Sequence, residues 1–313
     1  MKKNIKNIFV ILVYIFLIIS CKKEIRKDNP DIVTTIFPLY DFVKEVGKEK
    51  VNVSMILPPG VEAHSFEPTP KDIIKINESS MFIYIGKDME PWADDIIKST
   101  KNDKIVVIEI IKRIEDLIIS HEDEEEDHEE DKHHSGKDPH IWLDFEIDQK
   151  IVSIIAEELS KIDPSNKDFY LKNAEDYNLK LKELDDKYKE VISKCELKTI
   201  MYGGHFAFGY LAKRYGLNHI SPYSGFTPNS EPTPQKIIEL IENIKKHKIE
   251  YLFYEELLEP KVAKVISSST GVKLELLHAA HNLTKDEFSN KITFLSIMYD
   301  NLEKLKKGLK YKE

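Results

Sequence analysis

The 313-residue chain carries 55 acidic and 46 basic side chains, a formal charge of −9. Between His121 and His134 there are nine acids and one lysine, so the remainder is close to neutral and offers no broad basic face for nucleic acid. Only two cysteines occur, Cys21 and Cys195, and a modification of Cys21 would leave Cys195 without an intramolecular disulfide partner.

In chain order, Lys2, Lys3 and Lys6 precede an apolar run from Ile8 to Ile19. That run is shorter than the roughly 20 residues a membrane-spanning helix needs, and it suits the core of a secretory signal. It ends in Ile18-Ile19-Ser20-Cys21, which resembles the lipobox of bacterial lipoproteins, with Ile18 where leucine is commoner. The competing reading is a plain signal peptide with an incidental cysteine. The lipoprotein reading makes residues 1–20 the signal, Cys21 the lipidated residue, and residues 21–30 a tether to a body lying outside the cytoplasm. No other long apolar stretch follows.

The body begins with apolar runs that read as strands, Ile32 to Ile36 and Val51 to Ile56, around a helix from Leu39 to Val46. Glu67-Pro68-Thr69-Pro70 then opens a helix, with threonine placed to cap it and proline where a missing N–H costs nothing. The strand Met81 to Ile85 comes next. The same order recurs later. Thr199 to Tyr202, Phe206 to Tyr215 and Leu217 to Ser221 read as strand, helix and weak strand. Glu231-Pro232-Thr233-Pro234 and the strand Tyr251 to Tyr254 follow. Apolar runs alternating with helical periods indicate parallel βαβ units. The expected fold is therefore α/β, with two similar lobes at residues 31–164 and 195–313, each holding a small parallel sheet flanked by helices. Between them, Ile147 to Ile162 reads as a helix ending at Asp163-Pro164, and residues 165–194 read as one long linking helix. A coiled coil is the alternative for that last segment.

Of eleven histidines, His121, His128, His133 and His134 lie in the acidic tract, and His219 and His247 have no motif around them. His64 lies in the loop leaving a strand, His205 in a strand-to-helix turn after Gly203-Gly204, and His278 at the end of the run Val272 to Leu277. His140 sits in Asp138-Pro-His140-Ile-Trp-Leu-Asp144, just after the tract. Open α/β sheets bind ligands at the carboxyl ends of their strands. Four histidines at such positions suit a metal site, and imidazole suits zinc, copper and nickel.

Taken together, Gly60-Val-Glu-Ala-His64-Ser-Phe-Glu-Pro-Thr-Pro70, Gly86-Lys-Asp-Met-Glu-Pro-Trp92, Asp138 to Asp144, His205-Phe-Ala-Phe-Gly-Tyr-Leu211 and Asn301-Leu302 resemble the cluster A-I solute-binding proteins of zinc and manganese ABC importers. The resemblance covers nearly the whole body. It implies a metal held between two lobes, with His64 and His140 from the first lobe and His205 and a fourth ligand from the second. It also implies an ABC permease with its cytoplasmic ATPase as partner, and no catalytic step.

The fourth ligand departs from the usual aspartate. In Leu277-His278-Ala-Ala-His281-Asn-Leu-Thr, alignment on the following Leu-Thr favours His278, with His281 as fallback and water or another carboxylate left open. A histidine at 205, rather than a carboxylate, points to Zn2+ over manganese. The acidic tract, in the loop 121–137, reads as a weak zinc collector or as a solvated acidic loop. It has too little apolar surface to fold alone. The expected function is capture of zinc outside the cytoplasm and delivery to the permease, by a lipid-anchored monomer on the membrane's outer face. Alternatives are manganese or nickel transport, an added surface-adhesin role, and, least favoured, a zinc-dependent hydrolase, which would keep an open coordination position.

Overall fold

The computed structural model describes residues 29–118, 138–223 and 232–312. Cys21 and the tract His121 to His134 lie outside them. In the first half, β1 (Asp31–Thr34), β2 (Asn52–Met55), β3 (Met81–Tyr84) and β4 (Val106–Glu109) form a parallel sheet in the order β2-β1-β3-β4. Val33 lies opposite both Ser54 and Phe82, and Phe82 opposite Val107. The two central strands are apolar on both faces because α1 (Phe37–Gly47), α2 (Pro70–Glu78) and α3 (Ala93–Ser99) cover the sheet, as parallel sheets require.

The second half repeats this plan with two-stranded sheets. Here β5 (Thr199–Met201) pairs in parallel with β6 (Asn218–Ile220), and β7 (Tyr251–Tyr254) with β8 (Lys273–Leu276). A single parallel bridge, Tyr202 to Phe253, joins the two pairs. Tyr202 therefore belongs to a bridge and not to a strand proper. The helix expected from Phe206 starts only at α7 (Gly209–Tyr215), because residues 203–208 form a buried turn behind the site. Gly203 is needed there, since a Cβ would lie 2.6 Å from that of Ala263.

The internal repeat is visible in the helix starts. Thr69 accepts from the Asp72 N–H, and the Asp72 carboxylate accepts in return from the Thr69 N–H at 2.8 Å, closing a capping box on α2. At α8 (Pro234–Lys246), Thr233 accepts from the Lys236 N–H at 3.2 Å, but a lysine in that position cannot return the bond.

Between the halves, α5 (Phe145–Ile162) packs against α6 (Lys167–Ser193), a 27-residue helix about 40 Å long. The short α4 (Ile110–Arg113) precedes them, and α9 (Lys261–Thr270), α10 (Lys285–Ser289) and α11 (Phe294–Gly308) complete the second half. Near its start, α6 holds the first half, with Asn173 donating to the Val46 carbonyl at 2.9 Å. Near its end it holds α11, with the Tyr188 hydroxyl donating to the Met298 carbonyl at 2.6 Å. One apolar core runs through both halves, including Phe42, Leu181, Tyr188, Tyr202 and Phe294. Cys195, buried just beyond the end of α6, is a free thiol. Among the described residues no helix is long and apolar enough to cross a membrane.

Candidate metal centre

Four histidines converge where the two halves meet. His64, His140, His205 and His281 each offer a ring nitrogen, and these atoms all lie within 4.8 Å of one another. His64 stands in the long loop between β2 and α2, His140 just before the 3-10 turn Ile141–Leu143, His205 in the buried turn after β5, and His281 in the loop after β8. The ring centroids are evenly spread, from 4.9 Å for His140 and His281 to 5.8 Å for His140 and His205. His140, His205 and His281 are buried and His64 is half-buried, so His64 forms the solvent side of the group.

Three carboxylates stand behind the rings. Asp138 Oδ1 lies 2.7 Å from His140 Nδ1 and also accepts from the His140 N–H. Glu255 touches His205 Nδ1. Glu256 Oε1 lies 3.0 Å from His281 Nδ1. With the Nδ1 atoms of His140 and His281 so engaged, their Nε2 atoms are left for the centre. His205 Nε2 and His281 Nε2 are buried without a hydrogen bond, and His140 Nε2 lies 3.2 Å from His64 Nε2. Two neutral imidazoles at that separation share one proton between two nitrogens, or offer both lone pairs to a cation. Burial, and then the neighbouring rings, hold His64 and His140 far below the ordinary histidine range, so both are neutral and able to ligate.

His278 does not join them, which corrects the sequence expectation. Asn301 clamps its backbone, accepting from the His278 N–H at 2.9 Å and donating to the His278 carbonyl at 2.8 Å. Its ring turns back on its own loop, where Nδ1 accepts from the Ala280 N–H at 2.9 Å and Nε2 faces Glu287 at 3.8 Å. Ala280 then takes a left-handed φ of 61°, unfavourable for a residue with a Cβ by about 1–2 kcal/mol. That turn brings His281 to the cluster. His219, stacked on Phe206 at 3.7 Å, and the exposed His247 lie outside the cluster.

The outer carboxylates were missed from sequence. The available signals were Asp138, two residues before His140, and the pair Glu255-Glu256 directly after β7, at a strand's carboxyl end. The loop carrying His281 is also fastened to both halves. Asn282 donates to the carbonyls of Pro58 and Val61 at 2.7 and 2.9 Å, and the Gly60 N–H donates to the Leu283 carbonyl at 2.7 Å. Trp142 Nε1 donates to the Ala279 carbonyl at 2.7 Å.

Known proteins share this arrangement of sequence and fold. The family model for zinc-uptake complex component A, periplasmic, matches residues 32–308. The high-affinity zinc uptake system protein ZnuA of Bacillus subtilis (strain 168) is 36% identical over 321 aligned residues, covering 99% of both chains. The zinc-binding lipoprotein AdcA of Streptococcus pneumoniae is 34% identical over 97% of this chain, which spans 60% of AdcA's length. The crystal structure of the Zn(II)-bound ZnuA-like domain of that AdcA superposes with a TM-score of 0.75 at 32% identity, covering 90% of this chain and 99% of that domain. With such a match along almost all of its described length, the chain belongs to the periplasmic zinc-uptake component A family.

Proposed function

We propose that this protein captures Zn2+ on four imidazoles, His64, His140, His205 and His281, and delivers it to the permease of an ABC importer. The observation that carries the reading is the shape and chemistry of the ring cluster. Four nitrogens about 2.05 Å from a tetrahedral zinc are about 3.3 Å apart, and their ring centroids about 5 Å apart. The His64 to His140 nitrogen distance of 3.2 Å is that of such a pair, the centroid spacings of 4.9 to 5.8 Å are close to it, and all four nitrogens lie within 4.8 Å of one another. Among the described residues no carboxylate belongs to the inner set, and manganese favours oxygen ligands.

Family membership supports the transport role, because the family model and the Bacillus subtilis relative are named for zinc uptake. Four protein ligands also leave no open position for a reacting water, which a hydrolytic zinc needs. Zinc is cargo here. The partner that accepts it is the permease, working with its cytoplasmic ATPase. Lipidation at Cys21 would keep a monomeric protein beside that partner, and the lipobox-like Ile18 to Cys21 supports this. The tract with His121, His128, His133 and His134 would collect zinc weakly near the entrance, since carboxylates attract cations and imidazoles hold them.

The purified protein, dialysed against equimolar zinc and manganese and analysed by elemental mass spectrometry, should retain one tightly held zinc per chain and no manganese. Equal retention of both would overturn the zinc assignment, and retention of neither would overturn metal capture.

A further inference from the structure

Glu256, just after β7, is bonded to the loop that carries the fourth histidine. It is a buried carboxylate with four contacts to residues 278–281. Oε2 accepts from the Ala279 N–H at 2.8 Å. Oε1 accepts from the His281 N–H at 3.3 Å and faces His281 Nδ1 at 3.0 Å. His278 Nδ1 lies farther off, at 3.7 Å. A carboxylate with nine-tenths or more of its surface removed from water is costly unless it is fully hydrogen-bonded. This loop supplies those bonds in the conformation that places His281, and not His278, at the cluster.

We propose that Glu256 is the positioning residue that selects His281 as the fourth ligand. The assignment rests on the zinc-capture reading above and extends it to a residue outside the ligand set. Glu256 acts in two ways. Its bonds to the Ala279 and His281 N–H groups stabilise the left-handed turn at Ala280, offsetting the strain there. Its bond with Nδ1 fixes the His281 tautomer and leaves Nε2 for the metal, while its negative charge lies one ring away from an ion held by neutral ligands. Outer carboxylates that orient ligating histidines in this way typically change metal affinity by 10- to 100-fold when lost.

The test is a double-mutant cycle on zinc affinity, measured by chelator competition in the whole protein, with the wild type, Glu256→Gln, His281→Ala and the double variant. Glutamine keeps one acceptor for His281 but loses the charge and meets the Ala279 N–H with an amide if its oxygen faces His281. Glu256→Gln should weaken zinc about 10- to 100-fold when His281 is present. It should change affinity little when His281 is already alanine, because its route of action is gone. Replacing zinc with Co2+ provides a second readout. The intense visible absorption of a tetrahedral site should weaken in Glu256→Gln and match that of His281→Ala. Should Glu256→Gln fail to fold, Glu256→Asp, which keeps the charge but shortens the reach, takes its place in the cycle with the same expected non-additivity. Unchanged affinity in Glu256→Gln, or an undiminished loss in the His281→Ala background, would overturn the positioning role. A wild type that binds no zinc would instead overturn the capture reading itself, so the two failures are distinct.

Discussion

Removing one imidazole at a time separates His281 from His278 as ligand. A structural four-ligand zinc site is worth about 10–16 kcal/mol of apparent binding free energy at neutral pH. Shared over four nitrogens, that is about 2.5–4 kcal/mol for each, or roughly two to three powers of ten in affinity. His281→Ala removes Nε2 from the cluster and also leaves Glu256 facing a void where Nδ1 stood at 3.0 Å. Its zinc affinity should therefore fall at least 100-fold. His278→Ala removes no nitrogen from the cluster. It deletes the acceptor for the buried Ala280 N–H, so folding stability should drop by about 1–3 kcal/mol while zinc affinity stays at the wild-type value. Competition against a chromophoric chelator gives both affinities, and urea unfolding of the metal-free proteins gives both stabilities. A His278→Ala protein with 100-fold weaker binding, beside a His281→Ala protein that binds normally, would refute the reasoning.

Two further outcomes follow from groups away from the metal. Asp41 accepts from the Phe294 N–H at 3.1 Å and faces the Tyr177 hydroxyl at 3.4 Å, where α1, α6 and α11 meet. Burial pushes its pKa up to about 7. A raised folded pKa means that its stabilising contribution is complete below the ordinary value of 3.8 and is lost as pH rises through about 7. Asp41→Asn cannot titrate, so between pH 4 and 7 the variant should gain on the wild type by up to about 1.4 kcal/mol per pH unit. Melting temperatures at pH 5 and pH 8 test this, and a difference independent of pH would refute it. Gly308→Ala places a Cβ 2.3 Å from Phe253 Cζ, on a ring that is almost wholly buried. Overpacking there should cost about 1–3 kcal/mol of stability in urea titration with no change in zinc stoichiometry.

The order of elements was legible in the chain because it is written locally. Short apolar runs bounded by helical periods marked β1, β3 and β7, and Thr69-Pro70 and Thr233-Pro234 marked two helix starts by their own side-chain chemistry. Three of the four clustered histidines were also readable, since His64 lies in a loop leaving a strand, His205 in a strand-to-helix turn and His140 in a motif of its own. What tertiary structure decided was the direction of side chains in loops. The join between the second half's strand pairs depends on one bridge between Tyr202 and Phe253, which no local pattern announces. Likewise His278 and His281 are three residues apart with the same ring chemistry, and nothing in Leu277-His278-Ala-Ala-His281 ranks them. The ranking comes from Asn301, which fixes the His278 backbone from α11, and from Glu256, which holds the turn at Ala280 from beyond β7. Both lie more than twenty residues from His278, and a contact over that distance exists only once the chain has folded.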